Sequence, residues 1–385
     1  MLIRLLARFF ASFSPAAQMR IGRALGAFWF HVIRVRRRVA EQAVARAFPE
    51  RSPADVRRIV KGNFQHLMTS GVETFAYVAY SEARLRELVR YEGQEESVLR
   101  HRAAGRGVVA ISAHIGNFEM CTDGFGIVFH TPMLMVARLP KGGFARAMLE
   151  AFRAKGGMME VFEPKGASPK VVEALRTRQA VLAFVIDQNI PRGRGIFLPF
   201  LGEIANTTTG FASLQRKAGA ALCVVQMYRN PDGTHVCHVE PVPPCDHPNL
   251  RVAMIRDTLT MAKFIERYVR ERPEQWFWVH RRWKSRPEPG DLVIRDEGLE
   301  RHGKGRLAAF VPEALAGTPR GAEAVRRLET AGVVVERLAE ATPLAARAIA
   351  PEKRLDLESA LFFGAGDPVE AADRWLERVV GGAEA

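Results

Sequence analysis

The sequence predicts an α/β protein with a mostly parallel central sheet flanked by helices. Two observations carry this. Between about residues 105 and 245, short apolar runs at 107–112, 133–137, 181–186 and 222–228 alternate with helix-like stretches at 117–128, 143–155, 168–177 and 208–219, and another follows at 250–271. The run Gly107-Val-Val-Ala-Ile-Ser112 is also rich in β-branched residues and reads as a buried strand. At either end the composition shifts. This gives a segment 1–40, a main domain 41–290 and an extension 291–385.

The first segment is basic and apolar together. Residues 1–40 hold eight arginines and no acid. The run from Met1 to Phe13 is interrupted at Arg4 and Arg8, which share one helix face. Ala24–Ile33 offers about ten apolar positions, short of the ~20 that cross a bilayer, and Arg34-Val-Arg-Arg-Arg38 follows at once. An apolar, aromatic helix ending in a basic cluster is expected to lie as an amphipathic helix on an anionic membrane surface. The competing reading is a core-packed helix with a solvated basic end. The arginines and the lack of a small-residue cleavage site argue against a secretory signal.

Charge elsewhere agrees with an anionic partner. The chain of 385 residues has a net charge of +14. Residues 291–385 carry 13 Lys/Arg against 17 Asp/Glu, so the first 290 hold +18. Nucleic acid is disfavoured, because no stacking aromatics interleave with the basic residues and no recognisable module is present.

Residues 41–100 read as helical, with a break at Ala47-Phe-Pro-Glu50 and an N-cap at Ser52 before Pro53. The strand at 107–112 then leads into Ala113-His-Ile-Gly-Asn-Phe-Glu119. Gly116 and Asn117 break the strand and turn the chain into a helix. His114 thus sits at the C-terminal end of a buried strand, where open α/β sheets place their ligand crevices. Histidine is the side chain best suited to move a proton near neutral pH. Glu119, across the turn, is placed to fix its tautomer and stabilise its charged form. A structural His–acid pair is the alternative.

Asp187 and Gln188 follow the run Val181–Ile186, again at a strand end. Gly193 and Gly195 permit close backbone approach. Thr207, Thr208 and Thr209 fit either a helix cap or a phosphate contact. Asp187 and the glycines fit simple turns equally well. Trp276, Phe277, Trp278 and Trp283 stand among Arg281, Arg282, Lys284 and Arg286, which suits a membrane interface or phosphate headgroup. The spacing Trp276/Val279/Trp283 suits a core-facing helix as well. His66, His101, His130 and His280 read as structural or surface residues.

The four cysteines show no paired spacing and read as reduced thiols. In the run 235–247, strand alternation would put His235 and Cys237 on one face and His238 on the other, so no metal site is expected. Beyond the Pro-rich stretch at 287–289, Leu307-Ala-Ala-Phe-Val, a helical stretch at 321–331 and Gly332-Val-Val-Val-Glu-Arg-Leu suggest a small α/β extension. A partly ordered tail is the other reading.

Four blocks in order give the chain a family likeness: Arg36-Arg-Arg-Val-Ala with Ala47-Phe-Pro-Glu; Ser112-Ala-His-Ile-Gly-Asn-Phe-Glu, an H-x4-D/E pattern; Asp187-Gln-Asn with Gly195-Ile-Phe-Leu-Pro-Phe-Leu-Gly and Thr207-Thr-Thr-Gly; and Pro273-Glu-Gln-Trp-Phe-Trp-Val-His-Arg-Arg-Trp-Lys. Over roughly residues 20–288 it resembles the late (lauroyl/myristoyl) acyltransferases of lipid A biosynthesis, of the lysophospholipid acyltransferase superfamily. The resemblance implies an acyltransferase-type fold. It implies transfer of an acyl chain from an acyl carrier protein thioester to a hydroxyl of a membrane glycolipid, at the cytoplasmic face of a bacterial inner membrane. His114 would be the general base supported by Glu119, and Arg138, after the strand 133–137, would meet the oxyanion or a substrate phosphate. Asn117, Asp187, Gln188, Gly195, Thr208 and Arg281 become substrate-binding candidates. No metal, bound cofactor or acyl-enzyme is implied. The same chemistry on a lysophospholipid or aminolipid, and a non-catalytic lipid- or carrier-binding module, remain open readings. The chain departs from the family in its arginine-broken N-terminal helix and in the unmatched tail after 290.

Overall fold

The computed structural model describes residues 2–93, 95–138, 142–295, 298–301, 303 and 305–381; Met1 of the N-terminal run and 382–385 of the tail lie outside them. It is an α/β protein with two mixed sheets, and its residues divide into two compact units. The first comprises 1–188, 210–244 and 261–281; the second comprises 189–209, 245–260 and 282–385.

The first unit opens with α1 (Leu2–Ala11), α2 (Pro15–Phe28), a π-helical turn Trp29–Ile33, α3 (Arg37–Ala47) and α4 (Pro53–Tyr77). Ser52 caps α4 as expected: its Oγ accepts from the Asp55 N–H at 3.1 Å. Helix α2 lies against α4 through Gly22 and Gly26. A Cβ at either would come within 2.3 Å of α4 backbone, so only glycine allows this approach. Trp29 closes on Phe64 at 4.5 Å between ring centroids.

Helices α5 (Glu82–Leu88) and α6 (Glu95–Ala103) flank β1 (Val89–Gly93), a strand inside the stretch expected to be helical. Its five residues pair in parallel with a strand far along the chain, a tertiary contact that local propensity does not register. Next come β2 (Val108–Ser112), α7 (Phe118–Val128), β3 (Met133–Val136), α8 (Gly143–Gly156), β4 (Met159–Phe162), α9 (Ala167–Thr177) and β5 (Val181–Val185). After a hairpin of the second unit, β6 (Ile196–Phe200) and β7 (Glu203–Thr207), the first unit resumes with α10 (Gly210–Ala218), β8 (Ala221–Arg229) and β9 (His235–Pro241). Helix α11 spans Leu250–Glu271.

The first sheet runs β1-β9-β8-β2-β5-β3-β4. Only β8–β9 is antiparallel. All five residues of β2 are buried, as are Phe125, Met120 and Cys121 of α7, which belong to the same apolar core. Strands β2 and β5 are in register from Val108↔Val181 to Ser112↔Val185, so the residues that follow each strand emerge side by side.

In the second unit, residues 291–385 supply β10 (Leu292–Arg295), β11 (Gly298–Arg301), β12 (Gly305–Pro312), α12 (Glu313–Ala316), α13 (Pro319–Thr330), β13 (Val334–Leu338), α14 (Pro343–Lys353), β14 (Leu355–Phe362) and α15 (Pro368–Gly381). The sheet order is β13-β12-β11-β10-β6-β7, with β14 also on β12. The tail therefore shares one sheet with the earlier β6–β7 hairpin.

No helix among the described residues is long and apolar enough to cross a membrane.

Candidate active site

The geometry begins at the adjacent ends of β2 and β5. Asp187, just past β5, is buried and accepts three hydrogen bonds: from the His114 backbone N–H at 2.9 Å, from His114 Nδ1 at 2.8 Å and from Trp276 Nε1 at 2.7 Å. Because Nδ1 donates to a carboxylate, the neutral imidazole carries its lone pair on Nε2. Gln188 Nε2 lies 3.1 Å from that nitrogen and donates to it.

The loop that holds His114 is fixed on all sides. Gly116 has φ +63°, and a Cβ there would meet the Met227 carbonyl oxygen at 1.8 Å, so glycine is required. The segment 273–278 runs alongside. Ile115 pairs with Trp276 in an antiparallel bridge, Gly116 N–H donates to the Gln275 carbonyl at 3.0 Å, and Phe277 N–H donates to the His114 carbonyl at 3.0 Å. Trp276 and Trp278 are core residues, but the segment is a 3₁₀ turn, Pro273–Gln275, followed by an extended Trp276 and a turn at 278–279 rather than a helix. Bridging to Ile115 is what holds Trp276 extended.

Behind this loop lies a second polar cluster. Glu73 of α4 and Arg229 at the end of β8 form a bidentate ion pair, both contacts at 2.6 Å, with side chains only 6% exposed. Arg229 also donates to His66 Nδ1 at 2.6 Å and to Ser70 Oγ at 2.7 Å. His66 Nε2 can then donate to the Gly116 carbonyl at 3.3 Å. Burial and the Arg229 charge hold His66 well below its ordinary pKa, so it is neutral. Burial pushes the Glu73 carboxyl up, but Arg229 and His235 outweigh it and hold it well below the usual range.

Electrostatics at His114 follow the same balance. Burial lowers its pKa, yet the Asp187 charge and hydrogen bond, with a smaller push from Glu119, leave it raised. Asp187 is pulled the other way: burial raises it, and His114 with Trp276 holds it down at about 2.

The structure thus brings His114, Asp187 and Gln188 together. Glu119, in the first turn of α7, is exposed and makes no hydrogen bond to His114; it acts on the imidazole through space. The imidazole's orienting carboxylate is Asp187, because register pairing of β2 with β5 delivers it directly to Nδ1. Crowding by protein raises the Glu119 carboxyl and the His114 charge lowers it, with a net rise that its exposure to water moderates. Asn117 is committed to the fold: Oδ1 caps α7 by accepting from Met120 N–H at 3.2 Å, and Nδ2 donates to Glu73 at 3.2 Å. Arg138 is exposed just beyond β3, with no ion pair among the described residues.

In the second unit, Gly195 backs onto the Thr207 carbonyl oxygen, 2.4 Å from where a Cβ would sit. Thr208 is half-buried. Arg282, not Arg281, is the buried arginine there: it donates to the Asn206 carbonyl at 2.7 Å and to Thr207 Oγ1 at 2.5 Å, over the Phe200 ring. Arg281, in the first unit, is exposed.

Trp276 as an Asp187 partner, and Glu73 with Arg229, escaped the sequence reading. Their signals were present as a tryptophan in the closing block and as acid and arginine on otherwise apolar elements. No group of three or more His, Cys, Asp or Glu residues suited to a metal exists among the described residues. His235 instead approaches Glu73 at 3.5 Å, and Cys237 Sγ lies 3.5 Å from Cys121 Sγ.

An imidazole backed by a buried carboxylate, with its other nitrogen meeting a side-chain amide, is apparatus for taking a proton from a hydroxyl in group transfer. The class is that of an O-acyltransferase. The model of the bacterial lipid A biosynthesis acyltransferases matches residues 2–285, and the chain belongs to that family. It is 27% identical over 277 residues to the lipid A biosynthesis lauroyltransferase of Escherichia coli (strain K12), covering 70% of this chain and 86% of the relative. It is 28% identical over 274 residues to the lipid A biosynthesis palmitoleoyltransferase of the same organism, covering 69% and 85%.

Proposed function

We propose that this protein transfers a fatty acyl chain from an acyl carrier protein thioester to a hydroxyl of a lipid A precursor, at the cytoplasmic face of a bacterial inner membrane. The observation that carries this reading is the His114–Asp187 pair within a chain matched from 2 to 285 by the family. The acceptor hydroxyl displaces the Gln188 amide from His114 Nε2 and gives up its proton there. Its oxygen attacks the thioester carbonyl, the C–S bond breaks, and the imidazolium returns the proton to the departing thiolate. Asp187 holds the tautomer and the imidazolium. Glu119 adds negative potential, and Arg138 is the candidate donor for the oxyanion.

Membrane attachment is peripheral in this reading. Of ten large apolar residues exposed among the described residues, eight fall between Leu2 and Val35: Leu2, Leu5, Phe9, Leu25, Phe28, Val32, Ile33 and Val35. With the arginines beside them, they suit the interface of an anionic leaflet.

The test is acyl transfer from labelled acyl carrier protein to a panel of lipid A precursor, lysophospholipid and aminolipid, wild type beside His114→Ala. Transfer to the lipid A precursor, lowered at least a thousandfold in the variant, is the expected result. Transfer to another lipid alone would discard the acceptor, and a variant within tenfold of wild type would discard the base.

A further inference from the structure

The basic turn after the N-terminal helices meets a residue from the far end of the first unit. Arg34, Arg36 and Arg38, with Val39, line a surface cavity of about 420 Å³ whose remaining wall is Arg281. All four arginines are exposed, and none forms an ion pair among the described residues. The same stretch does pair its other arginine: Arg37 is engaged with Glu41 at 2.8 Å and covers the Phe30 ring at 4.2 Å. Four uncompensated guanidinium groups around one concavity repel each other unless an anion sits between them.

The backbone is bent to make this arrangement. Arg34 has φ 58° and Arg36 has φ 65°, both left-handed, a conformation that side-chain-bearing residues adopt at a cost. Strained residues persist where surrounding structure or function holds them, and here both strained residues aim into the cavity lining. The neighbours give the anion a setting: Phe28, Val32, Ile33 and Val35 are 54%, 62%, 51% and 59% exposed on the same short stretch. A soluble anion has no use for them. A headgroup whose acyl chains continue into a bilayer does.

We infer that the pocket of Arg34, Arg36, Arg38 and Arg281 is a binding site for the phosphomonoester headgroup of a membrane lipid. Forked guanidinium groups match phosphate oxygens in pairs, and a phosphomonoester offers more charge and more free oxygens than a phosphodiester. His114 is not among the residues that line it, and its occupancy is read without turnover, so it fails or stands apart from the acyl-transfer reading.

The experiment is co-sedimentation of the full chain with phosphatidylcholine vesicles carrying phosphatidic acid, or phosphatidylglycerol at matched surface charge. Wild type is compared with Arg38→Gln/Arg281→Gln and with a control pair outside the pocket, Arg57→Gln/Lys61→Gln, both exposed on α4. We expect wild type to favour phosphatidic acid, the pocket pair to lose at least tenfold in affinity for it, and the control pair to lose less than threefold. Equal losses from the two pairs, or no preference for phosphatidic acid in wild type, would reduce the pocket to diffuse charge and overturn the inference. Inorganic phosphate at matched ionic strength forms the last arm. If it binds wild type as tightly as the lipid does and depends on the same two arginines, the site takes free phosphate and the lipid assignment falls.

Discussion

Asp187 and Glu73 are two buried carboxylates, each bonded to the loop 114–117, and they do opposite work. Both are desolvated, and both are held in the charged form by a cationic or hydrogen-bonding partner. Glu73 is gripped bidentately by the guanidinium of Arg229, and the remaining donors around it are Asn117 and His235. Asp187 faces a histidine whose side chain keeps 16% exposure and whose other nitrogen meets the Gln188 amide. The first pair locks the loop around Gly116; the second can gain and release a proton. A buried acid becomes chemical rather than structural through the titration and access of its partner, not through its own burial.

Asp187→Asn should break that contrast most. Turnover should fall by about 10²–10⁴-fold, because the amide no longer enforces the Nδ1–H tautomer. With the counter-charge gone, burial dominates and the His114 pKa should drop, moving the acid limb of the rate profile to lower pH. A pH–rate series on both proteins checks this; an unmoved limb would mean Asp187 does not set the pKa.

Glu73→Gln should cost about 3–5 kcal/mol of stability, since it leaves Arg229 buried without its counter-charge. The reading is a urea midpoint, and turnover per folded molecule should change far less than in Asp187→Asn. Wild-type stability should also carry Glu73's signature. A depressed carboxylate stabilises above its unfolded pKa, about 4.3, and that contribution is lost as pH falls toward the folded value. His114 runs the other way. Its raised pKa stabilises the protonated fold below about 6.5, and that gain fades as pH rises through the folded value, just as the neutral base becomes active.

Glu119→Gln removes a charge that reaches His114 without a hydrogen bond, so a loss of about 10–100-fold in turnover is expected, with a smaller shift of the acid limb. Trp276→Phe deletes one of three donors to Asp187 and should cost about 1 kcal/mol in transition-state stabilisation, roughly a fivefold loss. If it matched Asp187→Asn, the indole rather than the imidazole would be Asp187's essential partner.

Much of the framework was legible in the sequence. The expected strands at 107–112, 133–137, 181–186 and 222–228 correspond to β2, β3, β5 and β8, because each is a short, predominantly apolar run. The hairpin β6–β7 was not read, since Pro199 sits inside β6 and its turn residues resemble a loop. Asp187 was legible as a strand-end acid, but its bond to His114 was not. The two lie 73 positions apart and meet only because β2 and β5 are neighbours, which is sheet order rather than local pattern. Glu119 drew the pairing because it was close in sequence. In the same way, Arg281 stood out by composition, whereas its convergence with Arg34, Arg36 and Arg38 is a tertiary fact.

The sheet shared by the hairpin and the tail has a consequence for how the chain can be cut. Family likeness ends at residue 285, yet β6 takes β10, from Leu292–Arg295, as its parallel neighbour at Val293↔Phe197. A protein trimmed to the matched region would therefore not simply lose an accessory. It would bare the hydrogen-bonding edge of β6, in the apolar sequence Ile196-Phe-Leu-Pro-Phe200, and leave it as a template for other chains. Insolubility of such a truncation would report an unzipped sheet and say nothing about catalysis.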